Sequence, residues 1–237
     1  MGLTRNCMAN LRRLIVSLCT RRKAGASEKE WKNIRLSFSQ FGEDLVLEHL
    51  LPNKGFYVDI GANHPVTHSN TWLFYRNGWR GIVVEPNPQL AKLHRRRRPG
   101  DVVIEAAAGM KSGWGKLLLE ESHLTSRVET GGTSKGAGPE IRVSIKTLKQ
   151  ILKEHLPAGV EGGLLNVDCE GMDLQVLQGN DWVRWRPAVI CAEAKTRKEE
   201  RDLCRYLQSK RYRFVGRIFY SVIYQDTETF ARLFPEL

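Results

Sequence analysis

Two short apolar runs in this chain lead to an acidic residue. One is Phe56-Tyr57-Val58-Asp59-Ile60-Gly61-Ala62-Asn63-His64-Pro65 and the other is Gly81-Ile82-Val83-Val84-Glu85-Pro86. Carboxylates so placed can accept hydrogen bonds from hydroxyls or face a cation, provided the chain sets them side by side. β-Branched runs of this length, bounded by turn residues, read as buried parallel strands. The segment between them is long enough for a crossover helix. Ligands of open α/β sheets bind in the crevice outside the carboxyl ends of the strands. Asp59 and Glu85 would end neighbouring strands there, with Glu85 placed to accept from ribose hydroxyls. A nucleoside-containing ligand is the first expectation.

The loop after Asp59 narrows the ligand. A dinucleotide site needs G-x-G-x-x-G so that a pyrophosphate can approach bare backbone at a helix N-terminus. In Gly61-Ala62-Asn63-His64-Pro65 only the first glycine is present, and Pro65 removes an N–H donor. Asp59 adds negative charge where a pyrophosphate would want none. A sulfonium, an ammonium and a ribose without phosphate suit this loop better, which describes S-adenosylmethionine. The residues expected to hold it are Asp59, Gly61, Asn63, Glu85, Pro86 and Asn87. The plainer alternative is a tight turn with Asp59 as a cap.

Further motifs follow in order. They are Ser39-Gln40-Phe41-Gly42-Glu43-Asp44, His68-Ser69-Asn70-Thr71, Gly78-Trp79-Arg80-Gly81, Asp168-Cys169-Glu170-Gly171-Met172-Asp173 and Leu177-Gln178-Gly179. With the two strand ends, this series resembles the FkbM family of S-adenosylmethionine-dependent methyltransferases across roughly residues 36–225. The resemblance implies a class I methyltransferase fold: α/β, Rossmann-like, a mostly parallel sheet with helices on both faces and a reversed C-terminal strand. It also implies methyl transfer to oxygen, usually on a sugar or natural-product scaffold.

Displacement at a sulfonium methyl needs alignment and, for a hydroxyl acceptor, a base. Asp168 is the first candidate, because a strand end fixes its backbone. Glu193 ends the next strand, and His64 lies in the first loop with an imidazole suited to neutral pH. Each has a structural alternative. Asp168 could cap the helix beginning near Gly171, Glu193 could pair with Lys195 or Arg184, and His64 could be a solvated loop residue. Asp168, Glu170 and Glu193 could hold a divalent metal through oxygen, but no spacing compels one, and no metal ligand is assigned. Cys169 lies between two acids, which raises its thiol pKa and disfavours nucleophilic chemistry.

The elements that would position these residues are short. Gln40 to Leu51 reads as a helix with Ser39 as N-cap. Helices are also expected from Asn70 to Asn77, from Pro88 to Arg98 with Asn87 as cap, from Leu148 to Leu156 and from Lys198 to Lys210. Val102 to Ala107 reads as the third strand, Gly163 to Val167 as the fourth and Ala188 to Ala192 as the fifth. Lys116 to Leu119 and Ile141 to Ile145 read as further strands. Tyr212 to Val215 and Tyr220 to Tyr224 suit an antiparallel hairpin. Residues 125–139, rich in Gly, Ser and Thr, read as a surface loop able to cover a substrate.

Composition agrees with a folded catalytic domain. The chain has 237 residues, 41% hydrophobic and 27% charged. Its net charge is +11, of which residues 1–35, with nine Lys/Arg against two acids, supply +7. The expected division is therefore a basic leader, residues 1–35, and a methyltransferase domain, residues 36–237. The spacing of Met8, Leu11, Ile15 and Leu18 suits an amphipathic helix on an anionic membrane, or the leader is a frayed tail. Five cysteines without a C-x-x-C indicate neither a disulfide framework nor zinc, so a cytoplasmic setting is the default. Arg95-Arg96-Arg97-Arg98 reads as a solvated helix end complementing the dipole. The expected partner is a small-molecule hydroxyl acceptor, and the sequence does not specify an oligomeric state. An RNA ribose 2′-O-methyltransferase is the main alternative, disfavoured because most excess charge lies in the leader and no RNA-binding module is evident. A non-catalytic S-adenosylmethionine-binding protein is the other.

Overall fold

The computed structural model describes residues 35–118, 127–129, 140–233 and 235. The chain divides into Met1–Leu36 and Ser37–Leu237, and the leader expectations lie outside the described residues. Within the second unit, seven strands form one sheet: β1 (Phe56–Ile60), β2 (Arg80–Val84), β3 (Val102–Ile104), β8 (Leu164–Val167), β9 (Val189–Glu193), β10 (Tyr212–Ile218) and β11 (Ser221–Asp226). Their order is β10-β11-β9-β8-β1-β2-β3. All pairings from β3 to β9 are parallel, whereas β11 runs antiparallel to both β9 and β10. This is the expected class I, Rossmann-like α/β sheet with a reversed C-terminal strand.

Strand periodicity sorts the side chains onto two cores. Val58 and Ile60 face one side with Val84, Val167 and Ile190, against α4 (Leu148–His155), α5 (Asp173–Gln178) and α6 (Arg197–Ser209). Tyr57 and Val83 face the other with Val189 and Ile223, against α1 (Glu43–Leu50) and α2 (Trp72–Arg76). α3 (Pro88–Arg97) follows β2, and α7 (Thr227–Leu233) closes the described chain. Among the described residues no helix is long and apolar enough to cross a membrane.

The expected third strand breaks in two. It ends at Ile104, and Ala107–Ala108 forms β4 in a second sheet with β5 (Gly113–Leu118), β6 (Arg127–Glu129) and β7 (Glu140–Lys146), ordered β4-β7-β5-β6. The chain changes sheets at Glu105-Ala106, which carries Ala107–Ala108 across the carboxyl ends of β1 and β2. Part of the loop expected over residues 125–139 is thus strand β6, paired antiparallel with β5; the rest lies outside the described residues.

Helix starts also differ. α1 begins at Glu43, with Gly42 as its cap in the left-handed region. Ser39 does not cap it; its hydroxyl accepts from the Gly42 and Asp44 amides and donates to the Asp44 carboxylate. Asp44 is buried and also binds the Ser37 hydroxyl and the Phe38 amide, while Glu43 accepts from the Phe41 amide and from Ser221 on β11. These two carboxylates pin the segment 37–42 beside the start of β11. α3 keeps its expected cap: the Asn87 side chain accepts from the Gln89 amide, with Pro88 at the first helical position.

Candidate active site

The carboxyl ends of β1, β2, β8 and β9 meet in one crevice. Gly61 turns the chain out of β1 at φ +72°, and a Cβ there would lie 1.9 Å from the Asp168 carbonyl oxygen. Only glycine permits that crossing, which brings the first loop onto the end of β8. Asn63 follows at φ +49°. Its amide donates to one Glu85 oxygen at 2.8 Å, and the Asn87 amide donates to the other at 2.8 Å. Glu85 is almost fully buried. Burial pushes its carboxyl up to about 7, against the two amide hydrogen bonds, which favour the charge. Each oxygen retains a lone pair for a further donor.

Glu85 lines a cleft whose other walls include Gly61, Asn63, Pro86, the alanines 106–108, Leu117, Asp168, Cys169, Glu170 and Met172. Four of the six residues expected to bind the cofactor, Gly61, Asn63, Glu85 and Pro86, meet here. Asn87 does not line it; its side-chain oxygen is spent on the α3 cap.

Asp59 corrects the expectation of an open carboxylate for a cationic ligand. It is buried, accepts from the Thr71 hydroxyl and from Asn166 at 2.9 Å, and faces the Arg98 guanidinium at 4.0 Å. Burial raises its pKa, with Arg98, Thr71 and Asn166 opposing. Arg98 is likewise buried, so the four-arginine run is not wholly a solvated helix end. Its guanidinium donates to the Pro65 carbonyl, to Ser69 at 2.6 Å and to Thr71 at 2.8 Å. Arg98 therefore fastens the first loop to Asp59.

His94, which the sequence reading did not single out, does related work. It is buried on the inner face of α3 and its Nε2 lies 2.8 Å from the Asn63 carbonyl oxygen. Desolvation, then Arg98, lowers its pKa to about 3, so it is a neutral donor holding Asn63 in place. His64 does not join the acids. Its Nδ1 accepts from the Val66 and Thr67 amides, and it lines neither cavity of the crevice. Burial, then Arg97 and Arg98, lowers its pKa. The ring braces the loop.

A second, more polar cavity lies across the same wall. Gly61, Asn63, Asp168 and Glu170 line both cavities. The second is also lined by Asp59, Gln40, His68, Asn70, Asn166, Glu193, Lys195 and Tyr220. Asp168 opens to solvent here, and no other side chain among the described residues hydrogen-bonds its carboxylate. Desolvation by the surrounding protein, then the charges of Glu193, Asp173 and Glu170, push its pKa well above the ordinary range, with Lys195 opposing. Asp168 does not cap a helix: α5 starts five residues later, capped at Met172. Asp173, to which the sequence assigned no role, accepts from the Glu193 amide at 3.0 Å and the Cys169 amide at 3.4 Å. It locks the ends of β8 and β9 together and so sets Asp168 beside Glu193.

Asp168, Glu170 and Glu193 offer oxygens within 4.8 Å of one another, a spacing open to a hard cation. Lys195 already brings a positive charge there, binding Glu170 and lying 3.3 Å from Glu193. Burial, then the charges of neighbouring Asp173 and Asp168, raises the Cys169 thiol pKa and leaves it protonated.

A family model described as the methyltransferase FkbM domain matches residues 59–214. No curated protein matches the chain. Among solved structures it is similar to a TehB-like SAM-dependent methyltransferase from Corynebacterium glutamicum, with 8% identity, 92% of this chain and 99% of that chain covered, and a TM-score of 0.43.

Proposed function

The chain belongs to the FkbM methyltransferase family, and from that premise we propose that it moves the methyl group of S-adenosylmethionine to a hydroxyl of a sugar or natural-product small molecule. The observation that carries this reading is the wall shared by the two cavities. One side of it mixes apolar alanines, Leu117 and Pro86 with a buried carboxylate, Glu85; the other is more polar and lined by hydroxyl- and amide-binding groups. Donor and acceptor could meet across Gly61, Asn63 and Asp168.

The residues present fit the cosubstrate. Glu85 has lone pairs for ribose hydroxyls, and the alanines, Leu117 and Pro86 suit a flat base. When bound, S-adenosylmethionine supplies an electrophilic methyl carbon whose sulfur leaves as a neutral thioether. The chain's own residues then orient the acceptor and take its proton. Asp168 is the proposed base: its raised pKa makes the carboxylate a stronger proton acceptor than a solvated aspartate. Glu193 is held beside it by Asp173 and paired with Lys195. Against one lysine, the acids Asp168, Glu170 and Glu193 give the second cavity a negative balance. That balance suits a neutral polyol better than a polyphosphate backbone, and so favours a small hydroxylated acceptor over RNA.

The test is titration calorimetry with S-adenosylmethionine, followed by mass spectrometry of a panel of hydroxylated small molecules incubated with enzyme and cosubstrate. Binding and an added methyl on oxygen are expected. No binding by the folded protein would overturn the cosubstrate. Methylation confined to nitrogen or to RNA would overturn the acceptor.

A further inference from the structure

We propose that the acceptor is amphiphilic: a polyhydroxylated ring enters the second cavity while a flat apolar ring attached to it lies on an aromatic rim formed by Phe41, Phe219 and Tyr220. This rests on the reading of the second cavity as the acceptor's. The three rings are exposed, Phe219 to 57%. They are also contiguous, with ring centroids 4.3 Å apart for Phe41 and Phe219 and 4.5 Å apart for Phe219 and Tyr220. Large exposed apolar side chains are unremarkable singly, but a contiguous cluster marks a binding surface. The rim is continuous with the cavity. Gln40 and Tyr220 line the cavity, and their chain neighbours Phe41 and Phe219 form the rim.

The rim is built rather than incidental. Phe219 sits at φ +51° in the two-residue turn that joins β10 to β11, a tight hairpin geometry that fixes where its ring projects. Its carbonyl accepts from Arg217 at 2.6 Å, and the Tyr220 carbonyl accepts from the Ala194 amide at 2.8 Å. Arg217 also binds the Ala194 carbonyl and Glu200. On the opposite side the Phe41 amide donates to Glu43, which accepts from Ser221. Two loops far apart in sequence are thus tied together with their aromatic rings outward. The cavity below offers Asn70, Asn166, Lys195 and carboxylates, all suited to hydroxyls, and its lining is more polar than apolar. A ligand that fills both must carry hydroxyls at one end and a ring-sized apolar face at the other, as an aryl glycoside does.

The experiment compares p-nitrophenyl and methyl glycosides of the same sugars, measuring dissociation constants by saturation-transfer NMR with S-adenosylhomocysteine present. In the wild type the aryl glycoside should bind tighter by about tenfold, the scale of one aromatic contact plus its burial. In Phe219→Ala and Phe41→Ala that ratio should fall to about twofold or less, with saturation transfer lost from the nitrophenyl protons. Thermal melts check that both variants fold. Equal affinity of the two glycosides for the wild type, or a ratio that survives both substitutions, would overturn the proposal. So would failure of every glycoside to bind. Calorimetry with S-adenosylmethionine separates that last outcome from failure of the methyltransferase reading, because cosubstrate binding does not involve the rim.

Discussion

Glu85 should make nucleoside binding depend on pH, and Glu85→Gln should remove that dependence. The probe is 5′-methylthioadenosine, which carries the ribose and adenine but no group that titrates near neutrality. Its hydroxyls can donate to the Glu85 carboxylate but not to the protonated oxygen of the neutral acid. With the carboxyl at about 7 in the free protein, most of the protein is ionised at pH 8 and roughly a tenth at pH 6. If only the ionised form binds well, the dissociation constant rises about tenfold over that interval, one pKa unit's worth of free energy. Glutamine cannot titrate. Its amide nitrogen would also face the Asn63 or Asn87 amide, donor against donor, so affinity at pH 8 should fall by about 1.5–3 kcal/mol. Calorimetry at pH 8, 7 and 6 reads both effects. A wild-type affinity that is flat across the interval would refute the ribose assignment, as would a Glu85→Gln variant that keeps the wild-type slope. The sign for folding is opposite. The folded carboxyl, at about 7 against 4.5, binds its proton more readily than the unfolded one. Its contribution to stability is fully present below 4.5 and is lost as pH rises through 7.

Asp168→Asn should lower turnover by roughly 10²–10⁴-fold, the range for general-base catalysis, and wild-type turnover should fall on acidification as the raised Asp168 carboxyl protonates; near-wild-type turnover in the variant would reject the base. Arg98→Met leaves buried Asp59 facing no cation at the 4.0 Å position, which should cost about 3–5 kcal/mol. The melting temperature would drop by roughly 6–20 °C, and adding Asp59→Asn should restore part of it; a loss below about 1 kcal/mol would show the pair to be dispensable. His94 runs opposite to Glu85: with its pKa lowered from 6.5 to about 3, the stability it contributes is complete above 6.5 and is lost as pH falls toward 3. His94→Phe should therefore flatten the acid side of the melting curve measured against pH, and an unchanged acid limb would rule that out.

Which residues could be read from the sequence follows from how far their partners lie along the chain. Glu85 ends a β-branched run and is held by Asn63 and Asn87, so its place at a strand end was visible in local pattern. Asp168 was visible the same way. The second sheet was not, because the break that Glu105-Ala106 makes in the Val102-to-Ala107 run is short, and one charged residue is also what an alternating strand would show. His94 left a signal that went unused: Leu90, Ala91 and His94 share the buried face of α3, so a histidine at that spacing belonged with the core. Arg98 left none. It lies one residue past the end of α3, in a run whose other members are exposed, and its burial depends on Thr71, Ser69, Pro65 and Asp59 converging from other elements.

That convergence alters the electrostatics of the whole crevice. An acid in Val58-Asp59-Ile60-Gly61 reads as charge offered to a cationic ligand, but its two oxygens and its countercharge are all supplied internally. The carboxylate instead anchors Arg98, and Arg98 carries the loop from Pro65 to Thr71 that shapes the second cavity. The negative charge a bound cation would meet then comes from Glu85 beyond β2 and from the acids at the ends of β8 and β9. There Glu170 and Glu193 are engaged by Lys195, which leaves Asp168, open to both cavities, as the carboxylate available to donor and acceptor alike. S-adenosylmethionine, when bound, would bring positive charge to the crevice, and a cation near Asp168 favours the ionised carboxylate that can accept a hydroxyl proton.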